Sequence, residues 1–257
     1  MKLDSPSGDC DWSRTIDRGE LRGRTVALVG GGTGIGLQVA RICVTLGAQV
    51  VLGGRTPAKL AGACEQLGSS ATWKRVDTAD HVSLSEFFED IDVVDHLFTT
   101  AADYVSGSMR SLSNEQAESA MASKFWGQYY AVKYALPKFS SDGSVVLLAG
   151  ADGARPTAEA AAYVACNAAV EGLGRGLAFE LAPVRVNTIS PGAIDGNFWS
   201  TRKKPAIRDE AFARYQNANL TKRVGTEAEV AAAVVFLFSN GYSTGSTMYL
   251  DGGYSLR

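Results

Sequence analysis

Short apolar runs rich in β-branched residues recur along the chain, and longer stretches with a mixed apolar and polar pattern separate them. Nearly continuous apolarity over four to six residues is typical of strands that are buried on both faces of a sheet. The pattern predicts strands at residues 25–29, 49–52, 72–76, 93–98, 144–148, 184–189 and 247–250.

The stretches between these runs have the periodicity of amphipathic helices. After the first run, apolar residues at 35, 39, 42, 43 and 46 form one stripe, and Gly47 is expected to end the helix. Thr56 followed by Pro57 is a helix-start signal. Three further pairs have the spacing of capping boxes: Ser83 with Glu86, Ser113 with Gln116, and Thr226 with Glu229.

Strand and helix signals alternate over the whole chain, without a linker composition that would divide it. This alternation predicts a single-domain α/β fold of Rossmann type, a doubly wound parallel sheet of about seven strands with helices on both faces. Residues 1–20 are polar and are expected to form a flexible N-terminal extension rather than a signal peptide. The domain is expected over 21–257, with a polar substrate-loop insertion at 201–222.

Composition narrows the kind of partner. The 257 residues include 25 Lys and Arg against 27 Asp and Glu, so no global field indicates a nucleic acid or a membrane surface, and a small-molecule partner is expected. The four cysteines form no CxxC pair, which favours a reducing compartment such as the cytoplasm. Only two histidines exist, so no His-rich metal centre is expected, and a serine-hydrolase triad would depend on one of them.

A glycine-rich segment follows the first predicted strand and opens the first predicted helix. In this context a glycine turn lets backbone N–H groups at the helix N-terminus hold a pyrophosphate. The alternative interpretation is a flexible turn. The candidate phosphate-binding residues are Gly30, Gly32, Thr33, Gly34, Ile35 and Gly36.

The end of the second strand bears on which dinucleotide would bind. An NAD-selective fold needs a carboxylate there for the ribose 2′-hydroxyl, but this chain has Arg55 and Thr56. A guanidinium suits a 2′-phosphate, and no carboxylate stands beside Arg55 in the sequence to repel that phosphate. The sequence therefore predicts NADP(H) as cofactor, unless Arg55 is simply a solvated surface arginine.

These features resemble the short-chain dehydrogenase/reductase family over about residues 21–254. Besides the glycine pattern, the matching segments are 76–78 after the third strand, 185–187 leading to 191–192, and 250–253. Val29 and residues 99–102 depart from the family's usual threonine and Asn-Asn-Ala-Gly. The resemblance implies further cofactor contacts at Asp77, Thr78, Thr100, Ala101, Asn167, Pro191, Gly192 and Ile194.

The family's Asn-Ser-Tyr-Lys tetrad is altered. Tyr163 matches its tyrosine, but Asn167 stands in the lysine position and Gly150 in the serine position. Lys124 occupies the asparagine position, so asparagine and lysine have changed places. In the standard enzyme the lysine lowers the tyrosine pKa and the serine holds the reacting oxygen.

Three accounts of the altered site stay open. Lys124 could reach Tyr163 from another helix, the substrate could need little proton donation, or redox chemistry could be lost. Asp103 and Asp152 are both expected to border the nicotinamide pocket, where a carboxylate would stabilise a cationic substrate or act as a base. The alternatives are a solvated loop acid for Asp103, a turn dipeptide for Asp152, a core aromatic for Tyr163 and a solvated lysine for Lys124.

The sequence also gives predictions for the segment that contains Phe198 and Trp199 and for the helix that carries Tyr163. Phe198 and Trp199 suit an apolar or aromatic ligand, or they anchor a long loop to the body. Small residues dominate the helix that carries Tyr163, and the resemblance implies a homodimer or homotetramer formed through that helix and the preceding one. The alternative is that the small residues pack on the helix's own sheet.

The leading hypothesis is an NADPH-dependent reductase of short-chain type with a non-standard site, acting on an imine, iminium or activated alkene in secondary metabolism. A cofactor-binding sensor or regulatory subunit without catalysis is one alternative. A non-redox cyclase or isomerase that uses Asp152 or Asp103 is another.

Overall fold

The computed structural model describes residues 21–100, 102–202 and 204–256. The predicted extension over residues 1–20 and the candidate cofactor residue Ala101 lie outside the described residues. Within the described part, no helix has both the length and the apolar character needed to cross a membrane.

Seven parallel strands form one sheet in the order β3-β2-β1-β4-β5-β6-β9, which confirms the predicted doubly wound fold. A short parallel pair, β7 with β8, lies apart from it. The strands are β1 Thr25–Val29, β2 Gln49–Gly54, β3 Ala71–Arg75, β4 Val94–Thr99, β5 Phe139–Leu148, β6 Arg185–Pro191, β7 Ile194–Asp195, β8 Gly225–Thr226 and β9 Thr247–Leu250.

Helices cover both faces of the sheet. The helices are α1 Gly34–Thr45, α2 Pro57–Leu67, α3 His81–Glu89, α4 Asn114–Ala120, α5 Gly127–Ala135, α6 Ala161–Glu180, α7 Asn197–Arg202, α8 Pro205–Ala218 and α9 Glu227–Ser239. A π-helical stretch, Met121–Trp126, joins α4 to α5. Apolar residues of α1, α2 and α9 form one core layer, and those of α3, α5 and α6 form the other.

Burial follows the position of each strand in the sheet. All six residues of β4 are buried, including the polar Asp95, His96 and Thr99. The expectation of burial on both faces is wrong for the edge strand β3, where Trp73 is 40% exposed, and for β9, which has one exposed and three half-buried residues. An edge strand has a neighbour on one side only, so less of its surface is covered.

Most of the predicted helix ends match the structure. Gly47 follows α1 with a φ of 89°, a left-handed conformation that favours glycine. Thr56 precedes Pro57 at the start of α2, although its side chain makes no capping hydrogen bond. Two of the predicted capping boxes are present, at the starts of α4 and α9.

The capping box predicted at Ser83 is wrong. Helix α3 begins at His81, and Asp80, three residues before Ser83, caps it by accepting from the N–H groups of Val82 and Ser83. The Ser83 hydroxyl instead accepts from the N–H of Asp77. An aspartate close to the helix start has the same capping chemistry as the predicted serine, and here it takes the position.

Candidate active site

The chain changes winding direction at β1, whose neighbours are β2 on one side and β4 on the other. Crevices at such a point, outside the carboxyl ends of the strands, are where open α/β sheets bind ligands. A cavity of about 620 Å³ lies here. Seven of the predicted cofactor residues line it, namely Gly30, Gly32, Thr33, Arg55, Thr56, Asp77 and Thr78.

The glycine turn has a backbone that only glycine permits at its critical points. A Cβ on Gly36 would collide with the carbonyl oxygen of Gly30, which itself has a φ of 102°. Thr33 precedes α1 but gives no side-chain cap, so the first N–H groups of the helix point towards the crevice without a capping partner from Thr33. The turn therefore fits the predicted pyrophosphate cradle.

Arg55 does have a carboxylate beside it, which corrects the sequence-based view. Its guanidinium donates to Asp103 at 2.7 Å, across the crevice. The partner comes from the end of β4, 48 residues away, so adjacency in sequence could not show it. Asp103 lines the same cavity as Arg55, Thr56 and Lys59, in the part of the cavity next to β2.

The other described cofactor candidates lie outside the lining of this cavity. Thr100 is held by its N–H bond to the Val29 carbonyl, next to the glycine turn. Pro191, Gly192 and Ile194 lie at and beyond the carboxyl end of β6, where the Gly192 N–H donates to Leu250. Gly34, Ile35 and Gly36 form the start of α1, and Asn167 lies on α6.

Lys124 reaches the tyrosine, as the first of the three open accounts requires. The π-helical stretch places its side chain in the interior, only 4% exposed, with Nζ 3.4 Å from the Tyr163 hydroxyl. Nζ also donates to the Ala149 carbonyl at 2.8 Å and to Asn167 Oδ1 at 2.6 Å. Burial lowers the pKa of Lys124, because desolvation disfavours the ammonium form.

Asn167 fills the space that the missing serine would use. Its Oδ1 faces Lys124, since an ammonium group needs an acceptor, and its Nδ2 is buried without a partner among the described residues. A Cβ on Gly150 would lie 3.1 Å from that Nδ2. An orphaned buried donor at this point fits a hydroxyl of a cofactor ribose or a polar group of a substrate.

Tyr163 is poorly suited to proton transfer near neutral pH. Burial raises the pKa of Tyr163 to about 12, with the Asp152 carboxylate adding to the effect. Tyr104 stacks on its ring at a centroid distance of 4.4 Å, and Lys124 Nζ lies 4.9 Å from the ring centroid. The cation is present, yet the phenol keeps a high pKa.

Asp152 is half-buried in a 3₁₀ turn after β5. No described residue forms a hydrogen bond or ion pair with its carboxylate. Burial raises the pKa of Asp152, and Lys124 opposes that shift. The same carboxylate contributes to the raised pKa values of Tyr163, Tyr215 and Tyr254.

Phe198 and Trp199 lie on α7, and each takes a different one of the two predicted roles, ligand contact or anchoring of the segment to the body. Trp199 packs edge-on against Phe212 of α8, with centroids 5.3 Å apart, and so anchors α7 to α8. Phe198 instead stacks towards Tyr104 at 6.2 Å. In a separate contact, the guanidinium of Arg155 lies over the ring of Tyr254.

Sequence reasoning missed two residues here. Tyr104 directly follows Asp103, and its position after a strand end was its only signal. Glu227 lies on α9, and its carboxylate accepts from the N–H of Asn197 at 2.6 Å, where it packs against Gly34 and Gly196. No local pattern connects Glu227 to a segment 30 residues earlier.

The fold and the site define a nucleotide-binding protein of Rossmann type, and comparison with known proteins identifies the family. Residues 30–255 match the sequence model described as enoyl-(acyl carrier protein) reductase. The chain belongs to the short-chain dehydrogenase/reductase superfamily, as its motifs predicted. Several of its relatives are named as oxidoreductases or dehydrogenase/reductases, and members of this family bind a nicotinamide cofactor.

Three similar proteins show how the resemblance is distributed. Oxidoreductase asL5 of Sarocladium schorii is 26% identical over 91% of this chain and 96% of its own. The solved structure of MalC reductase/Diels-Alderase from Malbranchea aurantiaca has a TM-score of 0.82 at 26% identity, covering 93% of this chain and 99% of that one. A small-chain dehydrogenase solved in complex with NADPH has a TM-score of 0.76 at 28% identity, covering 91% and 100%.

Proposed function

We propose that the protein is an NADPH-dependent reductase that acts on an organic cation with a C=N⁺ bond, an iminium. The observation that carries this proposal is the half-buried Asp152 carboxylate, which raises the pKa of Tyr163 and has no hydrogen bond or ion pair in the described part of the chain. Bound NADPH would supply a hydride to the iminium carbon and so reduce the iminium to an amine.

The residues support a reaction that needs no proton. Reduction of a ketone ends with protonation of the new alkoxide, and a phenol whose pKa is about 12 is a weaker donor for that step than a phenol whose pKa a nearby cation has lowered. Gly150 cannot hold the carbonyl oxygen as a serine would. Addition of hydride to an iminium gives a neutral amine directly, so a high tyrosine pKa and a missing serine would cost that reaction little.

The electrostatics suit a cationic ligand. A carboxylate attracts an iminium, and the ring of Phe198 at the end of the aromatic stack offers a cation–π contact. A bound cation would also favour the ionised form of Asp152.

The cofactor would be held by the residues already described. The glycine turn from Gly30 to Gly36 would receive the pyrophosphate, and the orphaned Nδ2 of Asn167 is available to a ribose hydroxyl. Arg55, Thr56 and Lys59 would surround a 2′-phosphate at the start of α2.

The test is single-turnover oxidation of NADPH with three substrates: an N-methyl dihydroisoquinolinium, a neutral enone and an aromatic ketone. We expect turnover of the iminium and a loss of about tenfold or more in Asp152→Asn, because the attraction to the cation is removed. NADPH affinity in this variant should change less than about threefold, since the carboxylate serves the substrate rather than the adenosine half. Asp92→Asn, an exposed acid before β4, is the matched control. Unchanged iminium turnover in Asp152→Asn would reject the carboxylate role.

A cyclase is the second candidate. The name of the MalC structure includes a Diels–Alderase, and a cycloaddition needs neither hydride nor proton relay. The same carboxylate and aromatic rings would then orient a diene and a dienophile. Product formed without NADPH oxidation would favour this function, whereas NADPH binding with no reaction across all substrates would favour the sensor.

The remaining expectations are kept as proposals. Free thiols at Cys43, Cys64 and Cys166 support the cytoplasm as the compartment, and the fungal relatives support a role in secondary metabolism. A homodimer or homotetramer is proposed by resemblance to the family. Gly174 on α6 packs directly on Thr188 of its own sheet, so not all the small residues of that helix are available to a partner.

A further inference from the structure

We propose that Asp103 moderates the preference for NADPH by competing with the 2′-phosphate of this cofactor for Arg55. This inference rests on the proposed preference for NADPH. It assigns to Asp103 a role in the adenosine half of the crevice, in place of the catalytic role that the sequence suggested.

The ion pair lies where the 2′-phosphate would bind. Arg55 follows β2 and Asp103 follows β4, while β1 and its glycine turn lie between these two strands. The pair therefore crosses the crevice above the turn, at 2.7 Å between Arg55 Nη1 and Asp103 Oδ2. Thr56 and Lys59 line the same part of the cavity, at the start of α2.

The backbone of Asp103 is fixed in place. Its N–H donates to the Ser123 hydroxyl at 3.1 Å, and that hydroxyl also lies 2.5 Å from the Asp103 carbonyl oxygen. Ser123 is itself buried, in the π-helical stretch that also carries Lys124. The loop after β4 therefore cannot easily carry the carboxylate away when a phosphate arrives.

The negative charge of Asp103 is expected to weaken binding of a 2′-phosphate to Arg55. A phosphate that takes the Arg55 guanidinium must displace the carboxylate or remain close to it, and two anions on one cation repel each other. A cofactor without the 2′-phosphate leaves the pair intact. Asp103 should thus weaken binding of 2′-phosphorylated nucleotides while leaving other nucleotides unaffected, and so moderate the preference for NADPH and speed its release.

The experiment uses two nucleotides that carry no hydride, adenosine 2′,5′-bisphosphate and adenosine 5′-monophosphate, in calorimetric titrations. Asp103→Asn should tighten binding of the bisphosphate about three- to fivefold, as expected for an exposed ion pair, and change the monophosphate by less than about twofold. The difference should shrink in high salt, which screens exposed charges. Asp90→Asn is the matched control, because Asp90 forms a similar exposed pair with Lys74 away from the cavity.

A double-mutant cycle with Arg55→Ala separates competition from simple repulsion. In the Arg55→Ala background the effect of Asp103→Asn should vanish, because no guanidinium remains to compete for. An effect of the same size in that background, or unchanged bisphosphate affinity in Asp103→Asn alone, would overturn the inference. If Arg55→Ala itself leaves bisphosphate binding unchanged, the proposed NADPH preference fails instead.

Discussion

Three residues of the site, Lys124, Asn167 and Gly150, differ from the family's usual residues and fit against one another. Lys124 donates to Asn167 Oδ1, and the amide of Asn167 lies against Gly150. A serine at 150 would place its Cβ within 3.1 to 3.3 Å of the amide, which is tighter than ordinary contact. Glycine at 150 is therefore the residue that accommodates an asparagine at 167. The departures from the family pattern are compatible with one another rather than a series of independent losses.

The role of the phenol and the lysine can be tested directly at this scale. If the substrate arrives as an iminium, Tyr163→Phe and Lys124→Met should each keep its turnover within about tenfold of wild type, because no proton is delivered. Single-turnover NADPH oxidation is the measurement. Lys133→Met on the exposed face of α5 is the control for replacing a helix lysine. A fall of about a hundredfold or more in both site variants would establish a Tyr163–Lys124 proton relay and count against the iminium.

At the scale of elements, the start of α9 organises the substrate side of the crevice. Thr226 and Glu229 form a capping box, and Arg223 pairs with the Glu229 carboxylate. Glu227, which directly follows Thr226, accepts from the N–H of Asn197 at the start of α7. One helix terminus therefore supports both its own first turn and the helix that carries Phe198.

Loss of this cap has a defined cost. Thr226→Ala should lower the free energy of unfolding by about 1 kcal/mol, because the N–H of Glu229 loses its acceptor. Urea unfolding of the unliganded protein measures it. Thr56→Ala is the matched control, since Thr56 also precedes a helix but makes no side-chain cap there, and its cost should be well under half as large. Equal losses in the two variants would mean that the capping box adds nothing.

At the scale of the whole molecule, His96 links the sheet to a covering helix. It lies on β4, is 5% exposed, hydrogen-bonds the Ser144 hydroxyl on β5 at 2.8 Å and stacks on Phe238 of α9 at 4.8 Å. Burial lowers the pKa of His96 from 6.5 to about 4. The folded protein therefore holds this ring neutral between two packed layers.

This histidine predicts acid sensitivity of the fold. Because its folded pKa lies below its unfolded value, the unfolded chain binds the proton first, so the stabilisation is complete above pH 6.5 and declines as the pH falls towards 4. The decline from this group should reach at most about 3 kcal/mol. Denaturant unfolding at several pH values is the measurement. His96→Gln should flatten the slope in this window, and exposed His81→Gln should retain it. A wild-type slope in His96→Gln would contradict the assignment.

The sequence by itself determined the elements and the identity of the site. Nearly continuous apolarity predicts central strands such as β1, because both faces of such a strand are covered by other parts of the protein. The glycine turn, Gly150 and Asn167 are readable because backbone geometry and motif spacing are local properties. The misplaced cap at Ser83 shows the limit of that approach, since Asp80 offers equivalent chemistry three residues earlier.

Only the tertiary structure decided which side chains meet. Lys124 reaches Tyr163 from 39 residues away, and Asp103 pairs with Arg55 from 48 residues away. Nothing in local sequence encodes these distances, because they follow from strand order and from the π-helical turn that directs Lys124 inward. The pKa of Tyr163 likewise depends on burial, which belongs to the packed molecule rather than to the residue. The sequence thus determined which chemical groups are present. Packing determined which of these groups meet in one site and how their pKa values shift there.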